Sequence, residues 1–285
     1  MRRAAVLVAG AGPAGVCAAV QLRRLGITPL LIDKTGNPGG LLRNARRIEN
    51  YPGFEEGICG TAFIDHLERM LIRWEIPVIT DELFTLHQEG DRFIASLTSG
   101  EMETARVILA TGTHPELPEH LRDTPHHVYT EVYPLLHTDP RGVIVIGGGE
   151  AALDFSLSLA DRKIPVEVAV RGTRLKAAGV FAKEVSTNPL VTIRFNSEVV
   201  GFSPTGDPLV LWNGHVAERR GYELLVAIGR RSTCADFHLE DARSCFTKQQ
   251  GLFIAGDMRM GGLGQLGCAV GDGLWAAQLA AKDVP

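Results

Sequence analysis

The residues best placed to do chemistry lie near the start of the chain. Gly10-Ala11-Gly12-Pro13-Ala14-Gly15 is a G-x-G-x-x-G turn, and Asp33 stands 21 residues beyond Gly12. An apolar run over residues 4–9 leads into the turn, apolar residues at helical spacing follow over 16–25, and a second apolar run over 29–32 ends at Asp33. Strand, glycine turn, helix, strand and acid at this spacing form the fingerprint of a dinucleotide site. Gly10 turns the chain tightly, Gly12 lets backbone N–H groups reach a pyrophosphate with no Cβ in the way, and Gly15 lets the helix lie close on the strand. The helix N-terminus adds partial positive charge and free N–H donors. Asp33 is expected to accept both hydroxyl protons of an adenosine ribose. A glycine-rich turn in an unrelated α/β protein is the competing reading of the same residues.

The unit then repeats. A strand over residues 143–146 leads into Gly147-Gly148-Gly149-Glu150-Ala151-Ala152, a second fingerprint with alanine in the third place, and a helix over 153–160 follows. The next strand, 166–170, ends in Arg171 rather than an acid. The offset of 137 residues between the two glycine turns marks an internal duplication. Two dinucleotide sites are therefore expected.

The elements that must hold these turns follow from the pattern. Three more strands, 106–110, 222–228 and 252–255, run into small or polar ends at Thr111-Gly112, Gly229 and Gly256-Asp257, which suits a flat cofactor lying against backbone. A meander of strands 84–87, 92–97 and 102–105 is expected in the first half, and another of 198–202, 208–212 and 215–219 in the second, the latter turned at Asn213-Gly214. With 285 residues and 30.8 kDa the chain is long enough for two domains. At 45% hydrophobic and 22% charged it is neither disordered nor fibrous. The net charge of −4, with basic residues scattered, gives no footprint for nucleic acid. No apolar run reaches the ~18 residues of a membrane span, and the first twenty residues read better as strand, turn and helix than as a signal peptide. Cys17, Cys59, Cys234, Cys245 and Cys268 include no C-x-x-C pair and no metal-ligand spacing, so reduced thiols in a cytoplasmic protein and no metal site are expected.

These pieces together resemble the low-molecular-weight thioredoxin reductase family, two-domain flavoproteins of the pyridine nucleotide:disulfide oxidoreductase class. The likeness covers nearly the whole chain, and its other specific patches are Gly39-Gly40-Leu41, Ile48-Glu49-Asn50-Tyr51-Pro52-Gly53-Phe54, Ala110-Thr111-Gly112, Val226-Ala227-Ile228-Gly229, the run from Gly251 to Asp257, and Gly271-Asp272-Gly273. The resemblance implies an α/β fold of two Rossmann-like three-layer domains, the second inserted into the first. The FAD domain would comprise residues 1–113 and 235–285, and the NAD(P)H-binding-like domain 114–234. It implies that Gly10, Gly12, Pro13, Ala14 and Gly15 hold the FAD pyrophosphate, with Asp33 and Lys34 at the adenosine ribose. Gly40, Leu41, Asn50, Ala110, Thr111 and Gly112 would line the flavin site. Gly256 and Asp257 would meet the ribityl chain, and the backbone at Gln265 and Leu266 the pyrimidine edge, where a donor stabilises charge developing at flavin N1. Gly147, Gly149, Glu150, Ala151, Arg171 and Lys176 would form the nicotinamide nucleotide site. A homodimer is also implied.

Two departures shape the expected function. Where the family carries its C-x-x-C pair this chain reads Thr130-Glu131-Val132-Tyr133, with no thiol, so the dithiol relay has no route. In place of the family's H-R-R-x-x-x-R clasp the chain has Val170-Arg171-Gly172-Thr173-Arg174-Leu175-Lys176, still cationic and suited to the 2′-phosphate of NADPH rather than to NADH. The leading expectation is an FAD-dependent oxidoreductase that carries electrons from NADPH to a small-molecule or small redox-protein acceptor, not to a disulfide. The competing expectation is a flavoprotein with a non-functional nicotinamide site, reduced by another protein or serving as a redox-sensing or structural subunit. Cys268 and Cys17 are expected to be buried packing and Cys59 to be open. His126 and His127 are read as a solvated turn after Pro125, with proton donation the alternative, Tyr129 and Tyr133 as filling the space of the dithiol segment or stacking on the flavin ring, and Arg230 and Arg231 as either ion-pairing or cofactor-facing.

Overall fold

The computed structural model describes residues 2–124, 128–177, 179–239, 250–260 and 264–282. The first stretch runs β1 (Arg2–Ala9), α1 (Pro13–Arg24), β2 (Pro29–Asp33), α2 (Gly60–Arg73), β3 (Val78–Thr80), β4 (Leu83–Glu89), β5 (Arg92–Leu97), β6 (Gly100–Leu109) and β7 (Thr113–Pro115). The middle runs β8 (Val128–Tyr129), α3 (Val132–Leu135), β9 (Gly142–Ile146), α4 (Glu150–Asp161), β10 (Val166–Val170), α5 (Gly179–Thr187), β11 (Val191–Phe195), β12 (Ser197–Phe202), β13 (Pro208–Trp212), β14 (His215–Glu218) and β15 (Tyr222–Val226). The end of the chain supplies β16 (Arg230–Ser232), β17 (Leu252–Ile254), α6 (Asp257–Met260) and α7 (Leu266–Ala280). Two compact units result: unit 1 is Met1–Arg43, Arg47–His114 and Arg230–Pro285, and unit 2 is Asn44–Arg46 and Pro115–Gly229. Arg230, the first residue after unit 2, donates at 2.8 Å to both the hydroxyl and the carbonyl of Thr113 and so belongs with unit 1.

Unit 1 is built on a sheet of order β3-β2-β1-β6-β5-β4, with β17 also on β6. Strands β3, β2, β1, β6 and β17 pair in parallel, and β5 and β4 continue antiparallel. Val6, Leu7 and Val8 are all fully buried, as an unbroken apolar run requires when both faces of a parallel strand are covered. Residues 14–22 of α1 are buried throughout, because α1 lies between the sheet and α7. Gly273 permits that approach: a Cβ there would stand 2.1 Å from the Ala14 carbonyl oxygen.

Two expectations about these elements change. Residues 102–105 and 106–110 are not separate strands but one ten-residue strand, β6. The reason is edge sharing: β1 pairs with β6 from Arg2 to Ala9, while its other edge serves β5 through Gly100–Thr104 and then β17 from Val107. A last helix is expected from the sequence over residues 273–282, and it begins instead at Leu266, two turns earlier.

Unit 2 carries a wholly parallel sheet, β11-β10-β9-β15-β8. Helices α3, α4 and α5 cover one face with Leu135, Leu153, Leu157 and Val185, against Val143, Val145 and Val168. The antiparallel meander β12-β13-β14 covers the other with Val199 and Val210, against Ile144, Ala169 and Leu224. Asn213 and Gly214, at φ of 51° and 77°, make the expected hairpin turn, since both central residues of a type I′ turn are left-handed. The α/β fold with two Rossmann-like units is therefore as expected. No helix among the described residues is long and apolar enough to cross a membrane.

Candidate dinucleotide sites

The first glycine turn joins β1 to α1 and is tied down on three sides. Gly10 N–H donates to the Ile32 carbonyl at 2.8 Å, Ala11 N–H to Asp33 Oδ2 at 3.0 Å, and Gly39 N–H to the Ala11 carbonyl at 2.8 Å. Gly10 sits at φ +104°, and a Cβ on Gly15 would lie 1.8 Å from the Gly10 carbonyl oxygen, so the turn and the helix exclude side chains at both places. Gly12 is different. A Cβ there would meet nothing within 4 Å, so its bareness serves something other than the chain's own packing. Gly12 is also the N-cap of α1 and offers no side-chain cap, while Pro13 occupies the first turn, leaving Ala14 and Gly15 N–H without intrahelical acceptors. An anion is the natural occupant of such a terminus. Gly40 lies beside it, its Cβ position 3.4 Å from Gly12 Cα, with Leu41 and the exposed Lys34 nearby in sequence.

Asp33 stands at the end of β2 as expected, but its carboxylate is largely engaged by the chain. Oδ1 accepts from Thr35 N–H at 2.8 Å and from Thr35 Oγ1 at 2.7 Å, and Oδ2 accepts from Ala11 N–H. Of roughly four acceptor positions on a carboxylate, one is left rather than the two that a pair of ribose hydroxyls needs.

The strand ends converge on the same turn. A Cβ on Gly256 would lie 2.8 Å from Ala14 Cβ, and the Ala110 carbonyl stands against Gly10. Thr111 Oγ1 is 2.7 Å from Thr233 Oγ1, which also donates to the Gly112 carbonyl at 2.9 Å. Asn50 and Gln265, far apart in sequence, meet at 2.8 Å, with Asn50 Nδ2 donating to Gln265 Oε1. Leu266 follows as the first residue of α7. The Asp257 carboxylate makes no hydrogen bond among the described residues. Burial pushes its pKa up, opposed by Arg230 and reinforced by Asp272. Gly264 passes so close that a Cβ would stand 2.0 Å from Asp257 Oδ1. A half-buried carboxylate with no hydrogen bond among the described residues fits the hydroxyls of a polyol.

Asp272, absent from the expected site residues, holds this wall in place. It accepts from Gly256 N–H at 3.2 Å and from Arg259 at 2.9 and 2.7 Å, and is itself buried. The available signal was a lone acid in an otherwise uncharged helix.

The second turn repeats the geometry in unit 2. Gly147 sits at φ +140° with its Cβ position 2.2 Å from the Ala227 carbonyl oxygen, whereas Gly149, the uncapped N-cap of α4, faces open space. Glu150 and Ala151 open the helix, and the Glu150 carboxylate is exposed in its first turn. The loop after β10 folds back over the turn: Lys176 and Ala177 N–H donate to the Gly148 carbonyl at 2.7 and 3.1 Å. Arg171, Arg174 and Lys176 are exposed, and none of them is in an ion pair among the described residues. Three exposed cations on the loop that folds back over this turn add positive charge near the N-terminus of α4.

The remaining candidates divide. Cys17 and Cys234 are buried and Cys59 is exposed, but Cys268 is exposed as well, contrary to expectation. Its burial depended on which face of α7 meets α1, and Ala269, Asp272, Gly273, Ala276 and Ala277 take that face instead. Cys245, His126 and His127 lie outside the described residues. Tyr129 is in β8 and Tyr133 in α3, where its ring meets His137 edge-on at 4.7 Å. Tyr133 N–H donates to Asn44 Oδ1 at 3.0 Å, a side-chain cap that comes from a sequence-remote residue. Arg231 pairs with Asp236 at 3.5 Å.

A sequence profile of the family described as pyridine nucleotide-disulphide oxidoreductase matches residues 4–273. The chain belongs to this family. Among relatives, it is 30% identical over 251 residues to the thioredoxin reductase of Yarrowia lipolytica, which covers 80% of this chain and 78% of that one. It is 27% identical over 199 residues to the thioredoxin reductase of Streptomyces clavuligerus, covering 68% of this chain but only 62% of that one. The crystal structure of Lactococcus lactis thioredoxin reductase superposes with a TM-score of 0.85 at 25% identity, over 98% of both chains. This member of the pyridine nucleotide-disulphide oxidoreductase family is thus thioredoxin reductase-like in sequence and fold.

Proposed function

We propose that the chain is an FAD-dependent oxidoreductase that draws electrons from NADPH and passes them to an acceptor other than a disulfide. FAD, when bound, supplies a ring that accepts hydride and releases electrons. Unit 1 would hold it through the first glycine turn, Asp33, the Asn50–Gln265 pair and Asp257. Unit 2 would hold NADPH, with α4 facing the pyrophosphate and Arg171, Arg174 and Lys176 facing the 2′-phosphate. In this reading residues 1–113 and 235–285 form the FAD domain and 114–234 the nicotinamide domain, and the protein is a cytoplasmic homodimer.

The observation that carries the proposal is a distribution. The described cysteines, Cys17, Cys59, Cys234 and Cys268, belong to unit 1, and the sequence of unit 2, which bears the exposed cations, contains none. The second glycine turn keeps the backbone geometry of the first, which supports a nucleotide there, while the sequence of unit 2 offers no thiol for a relay. A quinone, a small protein carrier, a metal ion or oxygen is then the acceptor class. The test is anaerobic mixing with NADPH and with NADH while following the flavin absorption band, then adding a quinone or thioredoxin. The proposal expects rapid bleaching by NADPH, slower bleaching by NADH, reoxidation by quinone and none by thioredoxin. Alkylation-sensitive thioredoxin reduction would overturn it.

The Glu150 carboxylate in the first turn of α4 favours a second reading, because it repels a pyrophosphate at the same helix terminus. There the protein is a flavoprotein reduced by another protein, and neither nicotinamide bleaches the flavin.

A further inference from the structure

The turn after β2 contains a device that the fingerprint does not require. Thr35 binds Asp33 Oδ1 twice, through its N–H at 2.8 Å and its hydroxyl at 2.7 Å. The same hydroxyl accepts from Asn37 N–H at 3.2 Å, and Asn37 Nδ2 donates to the Thr35 carbonyl at 3.0 Å. Gly36 N–H closes the turn on the Asp33 carbonyl at 3.0 Å, and Gly36 packs so tightly that a Cβ would stand 2.1 Å from Thr80 Oγ1. The Asp33 side chain is thereby held at both ends, Oδ1 by Thr35 and Oδ2 by Ala11 of the glycine turn. An aspartate is a short side chain with its carboxylate two torsions from the backbone, and these bonds fix both.

We propose that Thr35 is a positioning residue that locks Asp33 so that it reads one hydroxyl, not two, of the adenosine ribose of FAD. The inference rests on the reading of unit 1 as the FAD site. A carboxylate oxygen has about two acceptor directions, and both of those on Oδ1 are used, so only the second direction on Oδ2 faces outward. Asp33 keeps its charge and its reach, but its orientation is set by a neighbour rather than by the ligand. One ribose hydroxyl then contributes a hydrogen bond to a charged acceptor, and the other finds none at this residue.

The experiment measures dissociation constants of the apoprotein for FAD, for FAD with a 2′-deoxyadenosine half and for FAD with a 3′-deoxyadenosine half, by quenching of flavin fluorescence. In the wild type one deletion is expected to weaken binding about tenfold or more, the usual effect of losing a hydrogen bond to a charged group, and the other less than about twofold. Thr35→Val, which loses the hydroxyl, is expected to bring the two analogues within about threefold of each other, and Thr35→Ser to restore the wild-type ratio. Equal effects of the two deletions in the wild type would overturn the inference, as would a Thr35→Val variant that keeps the wild-type ratio. Should Thr35→Val fail to fold by circular dichroism, the wild-type ratio and Thr35→Ser decide the matter. Failure of the wild type to bind FAD at all would overturn the flavin reading itself, a separate outcome.

Discussion

The two glycine turns are the same structure put to opposite electrostatic use. Gly10 and Gly147 both have positive φ and both press against a strand-end carbonyl, of Ala110 in one unit and Ala227 in the other. Gly12 and Gly149 both cap a helix without a side chain and both face open space. Beyond the second strand the copies part. Unit 1 has Asp33, half-buried and bound to Thr35 and Ala11, whereas unit 2 has Arg171, Arg174 and Lys176, exposed and in no ion pair among the described residues. Backbone packing fixes the turn, so duplication preserves it. The two copies differ in the charge of the few residues after the strand.

The largest effects should separate packing glycines from ligand glycines. Gly15→Val puts side-chain atoms into the Gly10 carbonyl and should destabilise unit 1 by about 4 kcal/mol or more, unfolding it in many preparations. Gly12→Ala adds a Cβ with no atom of the chain within 4 Å, so urea denaturation of the apoprotein should shift by less than about 1 kcal/mol, and with Gly12→Val bound flavin should be lost. In unit 2, Gly147→Val and Gly149→Val should repeat this split, the second leaving the flavin in place and removing NADPH binding. A Gly12→Val protein that retains its yellow colour would break the equivalence of the two turns.

Next come the cations. Each charge-assisted contact to a phosphate contributes roughly 1.5–3 kcal/mol, so Arg171→Ala and Lys176→Ala should each narrow the NADPH over NADH preference about tenfold or more in flavin reduction rates. An unchanged ratio would mean that the loop over Gly148 is structural only.

Much of this was legible in the sequence because it is local. The glycine turns, the strands that enter them and the Asn213-Gly214 hairpin depend on residues within a few positions of each other. What escaped is non-local. The continuity of β6 depends on two partners sharing one edge, and the exposure of Cys268 depends on which face of α7 meets α1. The roles of Asp272 and Asn44 depend on hydrogen bonds across sixteen and 87 to 89 residues. Helix α2 was legible in principle, since Phe63, Leu67 and Leu71 recur at helical spacing and are all buried. Asp33 ends β2 at the place its spacing from the glycine turn gives it, but its engagement by Thr35 is a matter of side-chain torsion that spacing does not encode.

A smaller effect compares equivalent positions inside the two helices. Asp154 in α4 stands at the same 137-residue offset from Cys17 in α1 that relates the turns, and burial pushes both groups up, Cys17 to about 11 and Asp154 to about 6. The consequences differ. A thiol at about 11 is neutral at pH 7 and adds no pH dependence there. The Asp154 carboxyl, above its ordinary 3.8, binds its proton more tightly in the folded chain, so its contribution favours folding at pH 4 and is lost as the pH rises through 6. The Arg46 N–H bond to Oδ2 at 3.0 Å offsets only part of this. Asp154→Asn keeps an acceptor for that N–H and should raise stability by about 1–2 kcal/mol at pH 7.5 and by much less at pH 4. Urea denaturation at the two pH values checks it, and equal gains at both would remove the titration argument.

The smallest effect concerns the thiols, of which the four described lie in unit 1. Cys59 is exposed at the N-cap of α2, and its thiol is held below the ordinary range by the Thr61 hydroxyl and the Ala62 N–H. Cys268 is exposed in the first turn of α7, whereas Cys17 is buried and titrates high, and the Cys234 thiol lies 3.4 Å from the Met258 carbonyl in the interior. Iodoacetamide at pH 7.5 should therefore label Cys59 and Cys268 in the native protein, and Cys17 and Cys234 only after denaturation. The pH at which Cys59 labelling is half-maximal should fall below that of an ordinary thiol. If electrons leave the flavin directly for a non-disulfide acceptor, labelling the two exposed cysteines should change NADPH-dependent quinone turnover by less than about twofold, since neither sulfur belongs to the transfer. A relay built from any pair needs its Cα atoms within about 7 Å of each other, and Cys59→Ser with Cys268→Ser would abolish it at a stroke. Loss of turnover in that double variant, with flavin content unchanged, would return the thiols to the mechanism and place the dithiol in unit 1 rather than unit 2.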